Sequence, residues 1–187
     1  MAEKKEEKDE SGKSQAQLDY EKGKEFLKEN DLGQAANAFH NALIGYQQDG
    51  NENGIANIYD NLGDICLQRQ EYQKAHEHFD RAYEICSKSK DRFSMFSLEQ
   101  KKANLYCQSG DYDEAIKRYL EVIDEHTALR SPQGAVDALE ILAGIYLKIN
   151  ENAKAADCYK TMASIHKGYK HHRDYEKYMK LAEEISI

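Results

Sequence analysis

Residues 61–83, NLGDICLQRQEYQKAHEHFDRAY, decide the fold of this 187-residue chain. Apolar residues recur at helical spacing up to Cys66 and again from Tyr72 onwards. A short polar turn, residues 68–71, separates the two runs. The stretch therefore predicts a pair of helices joined by a tight turn.

The pattern recurs four times without a gap, at a period of 40 residues. An alanine marks each copy, an aromatic side chain follows it by four residues, and a small residue precedes it by 12. The five repeating columns are Gly23, Gly63, Ala103 and Ala143; Phe26, Cys66, Tyr106 and Tyr146; Ala35, Ala75, Ala115 and Ala155; Phe39, Phe79, Tyr119 and Tyr159; and Ala42, Ala82, Val122 and Met162. A pair of helices cannot cover its own apolar face, so the copies are predicted to stack as an all-α solenoid of four helix pairs.

Local signals place the ends of the helices. Gly110 is a helix stop, Asp111 and Glu114 have the spacing of a capping box, and Ser131 with Pro132 marks a helix start. An amphipathic stripe near the C-terminus predicts one further helix, which caps the fourth pair. The predicted helices cover about 16–29, 33–48, 53–69, 72–88, 92–108, 112–129, 132–148, 152–167 and 172–186.

Composition divides the chain into a tail and one domain. Residues 1–14 carry charges of both signs and, beyond Ala2, no apolar side chain, so we expect a disordered tail. Residues 15–187 are predicted to form a single domain of four repeats and a capping helix. The repeats cover approximately 16–50, 51–90, 91–130 and 131–170, and the capping helix covers 172–186.

Composition also argues against several classes of function. The formal net charge is −8, from 26 basic and 34 acidic side chains, which argues against nucleic acid as a partner. The sequence has no apolar run that suits a secretory signal or a membrane span, and its four cysteines fit no zinc spacing. We therefore expect a cytoplasmic protein without membrane insertion, metal or cofactor. Phosphate-loop, nucleophile-elbow and metalloprotease motifs are missing from the sequence, so we expect no enzyme activity.

These patterns resemble the tetratricopeptide repeat family. Residues 61–82 reproduce most of the family signature, and residues 109–116 are similarly typical. The period of 40 residues exceeds the family's commonest period of about 34. We expect the extra residues to lengthen both helices and the joint between repeats, for example residues 47–54.

The resemblance implies a right-handed superhelix with a concave wall formed by the first helix of each pair. In the family, this wall commonly holds a peptide segment of a partner protein. Carried over to this chain, the predicted groove comprises Lys24, Asn57, Asp60, Asn61, Asp64, Gln68, Ser97, Lys101, Asn104, Gln108, Asp137, Glu140, Gly144 and Lys148.

Helical periodicity supports this wall independently of the resemblance. Asn57, Asn61, Asp64 and Gln68 form one polar stripe, and Ser97 begins a similar stripe 40 residues after the first. Amide side chains can both donate to and accept from a peptide backbone. A plain solvated face requires the same residue types, so each single position stays open between the two interpretations.

The leading hypothesis is an adaptor or scaffold that binds a neutral or basic peptide segment. Of the five positions with which some family members grip a C-terminal carboxylate, only Asn61 and Lys101 match, and Asp60 and Asp64 would repel an anion. Three alternatives stay open: a peptide-responsive regulator, a chaperone for assembling or secreted subunits, and a self-assembling scaffold that forms a homo-oligomer.

Overall fold

The computed structural model describes residues 12–185, which form nine α-helices joined by connections of two or three residues. The helices are α1 (Gln15–Lys28), α2 (Leu32–Asp49), α3 (Glu52–Gln68), α4 (Tyr72–Ser89), α5 (Arg92–Ser109), α6 (Tyr112–Ala128), α7 (Pro132–Lys148), α8 (Asn152–Gly168) and α9 (His172–Glu184). The predicted all-α repeat solenoid is confirmed, and every helix end lies within about two residues of its predicted place. Residues 1–11 of the predicted tail and residue 186 of the predicted capping helix lie outside the described residues.

The connections share one backbone device, a residue in the left-handed region at the end of each of the first eight helices. These residues recur every 20 positions and are Asn30, Gly50, Gln70, Lys90, Gly110, Arg130, Asn150 and Lys170. The following N–H commonly donates back across the turn, as in the 2.9 Å bond from Asp31 N to Phe26 O. This is the Schellman geometry, which satisfies carbonyls at the end of a helix.

The residue after the left-handed position often caps the next helix. Side chains of Asp31, Asn51 and Asp111 each accept a hydrogen bond from the backbone N–H three residues on. One short turn therefore both ends a helix and starts the next. The expected longer joint over residues 47–54 is wrong, because α2 runs to Asp49 and α3 begins at Glu52. The additional length of the repeat lies in the helices.

Packing divides the described residues into unit 1, residues 12–101, and unit 2, residues 102–185, with the boundary inside α5. In unit 1, α1 packs on α2, α2 on α3, and α3 on α4. One core cluster comprises Ala16, Ala35, Phe39, Ala42, Tyr46, Ile55, Ile58, Leu62 and Ile65. The repeating residues Ala35, Ala75, Phe39 and Phe79 are fully buried, as the columns read from the sequence predict, whereas Phe26 is partly buried. The single domain over residues 15–187 stays a prediction.

Glycines let the paired helices of unit 1 approach closely. A Cβ atom added at Gly63 would lie 2.4 Å from Cε1 of Phe79, and one added at Gly23 would lie 2.7 Å from Cε1 of Phe39. Both rings are fully buried. A small residue is therefore required at this position of the repeat, because the aromatic ring of the second helix lies directly against the backbone of the first.

Unit 2 repeats this packing with alanine in place of glycine. Ala103 and Ala143 are fully buried, and α6 packs on α7, α7 on α8, and α8 on α9. The predicted capping role of α9 is visible in Tyr178, which is buried and stacks on Tyr159 of α8 at a centroid distance of 6.3 Å. Among the helices of residues 12–185, none combines the length and the apolar character that crossing a membrane requires.

Candidate partner-binding surface

The 14 predicted groove residues all lie on the first helices of the pairs. Lys24 lies on α1, and the others lie within residues 57–68 of α3, 97–108 of α5 and 137–148 of α7. Seven of them are exposed and seven are half-buried, so all present atoms to solvent. Because the boundary between the units falls inside α5, the residues of each unit are described separately.

In unit 1, one lysine joins two of the predicted acidic residues. The Nζ atom of Lys101 lies 2.6 Å from Oδ1 of Asp60 and 2.7 Å from Oδ2 of Asp64. The three side chains are 27%, 34% and 37% exposed, so the cluster is partly shielded from water. The same Nζ atom lies 5.8 Å from the ring centroid of Phe79, which ties the cluster to the core.

Burial acts on both partners of this cluster. It raises the pKa of the Asp64 carboxyl, although the ammonium of Lys101 pulls that pKa down. Burial also works against the charge of Lys101, but the carboxylates of Asp64 and Asp60 outweigh it and raise the pKa of Lys101. The sequence predicted all three residues for the groove but not the pairing among them.

The amide of Asn61 is engaged by its own helix and by α1. Its Nδ2 atom donates to the backbone oxygen of Asn57 at 2.6 Å. Burial raises the pKa of the Tyr20 hydroxyl, and a hydrogen bond with the Asn61 side chain acts in the opposite direction. Part of the hydrogen-bonding capacity that the sequence assigned to a partner peptide is therefore used within unit 1.

A cavity of about 220 Å³ opens beside the ion pair in unit 1. Three of its lining residues were predicted for the groove, namely Asn57, Asp60 and Ser97. The other lining residues are Ala56, Ala82, Cys86, Phe93, Ser94 and Leu98. Phe93 is 85% exposed, although large apolar side chains are usually buried. The sequence analysis did not include Phe93 in the groove. Its place in the first turn of α5 is the sequence feature that could have identified it as a candidate contact.

In unit 2, the predicted acidic residues of α7 have partners within the unit. Glu140 accepts a hydrogen bond from the hydroxyl of Tyr178 and lies 3.9 Å from Nζ of Lys177. Asp137 accepts a bond of 2.7 Å from Nε2 of Gln133. Glu140 thus helps to hold the capping helix, a structural role that the sequence did not predict. The remaining predicted residues of unit 2 are Asn104, Gln108, Gly144 and Lys148.

Two further features of unit 2 lie outside the predicted groove. A cavity of about 380 Å³ is lined by His126, Thr127, Arg130, Ser131, Pro132, Ala135, Ser164, Ile165, Gly168 and Tyr169. In addition, His166, His171 and Asp174 bring three metal-ligating atoms within 4.8 Å of one another. The sequence interpretation named no metal ligands.

The helical repeats and their exposed polar stripes define a protein-interaction module of the tetratricopeptide type, and a tetratricopeptide repeat model matches residues 101–168. A second family model, described as soluble NSF attachment protein (SNAP), matches residues 1–130. The chain belongs to the soluble NSF attachment protein family, whose model matches more than half of it. The tetratricopeptide-like architecture expected from the sequence is confirmed. No protein of curated function matches the chain at a significant level.

Solved structures with the same fold come from varied proteins. The apo form of RapI has a TM-score of 0.73 at 14% identity, over 91% of this chain and 62% of that one. A signal transduction ATPase with a tetratricopeptide repeat sensor from Pyrococcus horikoshii has a TM-score of 0.69 at 18% identity, over 91% of this chain and 28% of that one. BtubC from P. vanneervenii has a TM-score of 0.60 at 15% identity, over 88% and 76% of the two chains. This chain spans less than two thirds of the first two proteins, and identities this low establish the fold alone.

Proposed function

We propose that this protein is a non-catalytic adaptor whose first helices bind a peptide segment of a partner protein. The observation that carries the proposal is the cavity of unit 1, whose lining combines predicted polar residues with apolar side chains. The family description, soluble NSF attachment protein, also refers to attachment, to NSF. A cavity of about 220 Å³ is smaller than the pockets that enclose drug-sized ligands, and it suits one protruding side chain.

The chemistry of the cavity defines the segment that fits it. Phe93 and Leu98 provide an apolar contact for one aliphatic or aromatic side chain of the partner. Asn57 and Ser97 flank this contact and can exchange hydrogen bonds with the partner's backbone. An extended segment with a single apolar anchor and few charges satisfies both requirements.

We also propose that the protein works in a reducing compartment such as the cytoplasm. All four cysteines lie in the described part of the chain, and each is a free thiol. Burial raises the pKa of the thiols of Cys66, Cys86 and Cys107, and it raises that of Cys158 to about 11. Thiols of this kind are unreactive at neutral pH, so they act as small apolar side chains of the core.

A peptide-display selection tests the groove. Random peptides displayed on phage are selected on the immobilised full chain, and enriched peptides are measured by fluorescence polarisation. Phe93→Ala and Asp60→Asn alter the cavity, and each is expected to weaken the enriched peptides by about tenfold or more, as for a central contact. Leu129→Ala and Asp157→Asn are matched controls, because both residues are exposed and neither lines this cavity.

Two outcomes would contradict the proposal. Enriched peptides that bind Phe93→Ala and Asp60→Asn as tightly as the unaltered chain would place the binding surface elsewhere. Peptides that lose affinity equally for the variants and for the two controls would indicate non-specific adhesion. Circular dichroism of each variant verifies that it folds before its affinity is interpreted.

A further inference from the structure

We propose that the turn between α8 and α9 binds a divalent transition-metal ion of the zinc class. The ligands are the imidazoles of His166 and His171 and the carboxylate of Asp174, whose ligating atoms all lie within 4.8 Å of one another. None of the three residues lies in the groove proposed for the partner peptide. The inference therefore stands independently of the adaptor function.

The distances match the coordination sphere of such an ion. The Nδ1 atoms of His166 and His171 are 3.3 Å apart. Zinc–nitrogen bonds of about 2.0–2.1 Å in a tetrahedral arrangement place two ligand atoms about 3.3 Å from each other. Oδ2 of Asp174 lies 4.0 Å from Nδ1 of His166, and its side chain is 49% exposed, so a small rotation brings the oxygen within range.

The same two nitrogens can instead share a proton when both imidazoles are neutral. One ring then donates an N–H hydrogen bond to the other, and no metal is required to explain the distance of 3.3 Å. The presence of Asp174 as a third ligating group favours the metal, because a shared proton needs only the two rings. A metal ion would take the place of that proton and be coordinated by the lone pairs of both ring nitrogens.

The imidazole of His166 and the backbone of His171 are held in place without the ion, whereas the side chain of His171 is exposed. The side chain of His166 is 12% exposed and its ring stacks on Tyr178, at a centroid distance of 5.4 Å and an interplanar angle of 17°. Tyr178 is itself fixed by its hydrogen bond to Glu140. The backbone N–H of His171 donates to the carbonyl of His166 at 2.9 Å, so the turn fixes their separation. A site on rigid elements loses little entropy on binding.

The donor set narrows the choice of metal. Two imidazoles and one carboxylate suit Zn²⁺, Co²⁺ and Ni²⁺ better than Mg²⁺ or Ca²⁺, which prefer oxygen ligands. Three protein ligands leave one position for water. The N-terminus of α9 opposes a cation through the helix dipole, and Asp174 in its first turn offsets that effect. Bound there, the ion would fasten the capping helix to α8.

Metal titration of the full chain tests the proposal. The protein carries no affinity tag, is treated with a chelator, and is kept under a non-chelating reductant. Isothermal titration with Zn²⁺ is expected to show one equivalent bound, and Co²⁺ is expected to give the intense visible absorption of a tetrahedral site. Zn²⁺ should also raise the melting temperature, since the folded turn would bind it more tightly than the unfolded chain does.

Matched variants assign the ligands. His171→Gln and Asp174→Asn are each expected to weaken Zn²⁺ by about 10-fold to 100-fold or more. His172→Gln removes a neighbouring exposed imidazole that is outside the cluster, so its affinity should equal that of the unaltered chain.

Three results would overturn the proposal. The first is the absence of saturable Zn²⁺ binding by the folded, unaltered chain, which leaves the hydrogen bond between the imidazoles as the full explanation. The second is equal affinity in His171→Gln, Asp174→Asn and the control. The third is binding that survives in these variants and disappears when the cysteines are alkylated, which would assign the metal to thiols.

Discussion

The approach of Gly63 to the ring of Phe79 leads to a quantitative prediction for Gly63→Ala. The added methyl group would lie 2.4 Å from Cε1, 2.6 Å from Cδ1 and 3.0 Å from Cζ of that ring. Carbon atoms in contact normally lie about 3.5–4.0 Å apart, so α3 and the ring must separate by about 1 Å. The ring is fully buried, so it cannot make room by turning into solvent without losing its core contacts.

The magnitude follows from two opposing effects. Inserting a methyl group into a packed core costs about 1–3 kcal/mol. Replacing glycine by alanine inside a helix stabilises the folded state by about 0.5–1 kcal/mol. We expect Gly63→Ala to lower the free energy of unfolding by about 1–2 kcal/mol, which corresponds to about 2–8 °C in melting temperature for a chain of this size.

Gly144→Ala is the matched control, because it makes the same change inside α7. A Cβ atom at Gly144 would meet no atom within 4 Å, so only the gain in helix propensity remains. This variant should be more stable than the unaltered chain by about 0.5–1 kcal/mol. The difference between the two variants, about 1–3 kcal/mol, isolates the overlap with the ring because the propensity gain is common to both.

Urea unfolding followed by far-ultraviolet circular dichroism measures both variants under the same conditions. If Gly63→Ala is as stable as Gly144→Ala, the close approach does not limit the packing and the reasoning is refuted. A partial recovery of stability in Gly63→Ala with Phe79→Leu would support it, since the smaller side chain leaves space for the methyl group.

Three further predictions concern backbone, pH and charge. Gly110→Ala should lower the free energy of unfolding by about 1 kcal/mol, because the backbone at this position has a φ of 84° and the added Cβ would meet no atom within 4 Å. Arg130→Gly, at a φ of 53°, should raise the free energy of unfolding by about 0.5–1 kcal/mol. Urea unfolding measures both variants. Burial raises the pKa of Tyr119 to about 12, so the stability it contributes is complete below pH 10 and is lost as the pH rises to 12. Tyr119→Phe should therefore lose less stability over that interval, by up to about 2–3 kcal/mol, and equal pH profiles would contradict this. Lys101→Met should raise the pKa of Asp64 further, as measured by NMR titration, because the burial of that carboxyl is then opposed by no ammonium.

The positions of the helices could be predicted because a gapless repeat multiplies weak signals. One amphipathic segment is ambiguous by itself, but four aligned copies place the same residue types on the same face. The left-handed residues that end the helices were only partly predictable. Glycine marks two of them, Gly50 and Gly110, whereas the other six are asparagine, glutamine, lysine or arginine. Asparagine tolerates this conformation better than most residues, whereas at Gln70, Lys90, Arg130 and Lys170 the tertiary structure imposes it on side chains that seldom adopt it.

The sequence could predict which positions share a level on successive first helices, but it could not predict which of their side chains are in contact. Lys101 follows Asp60 by 41 residues and Asp64 by 37, close to the repeat of 40, so the three residues occupy similar levels on successive first helices. Periodicity predicts this proximity, but it does not determine which rotamers meet. The histidine cluster was not predicted from the sequence, for a different reason. His166 and His171 lie on opposite sides of a turn, and helical spacing cannot relate residues across it.

The pairing of Lys101 alters what the proposed groove of unit 1 would select. Without it, Asp60 and Asp64 would present two negative charges and favour a basic segment, as the sequence suggested. With the ammonium at 2.6 and 2.7 Å, the cluster carries a net charge of −1, and a basic partner residue must compete with an internal cation that is already partly shielded from water. Little electrostatic free energy remains for such a partner. We therefore expect the apolar contact at Phe93 to determine affinity, and the charge of the segment to influence mainly the rate of association.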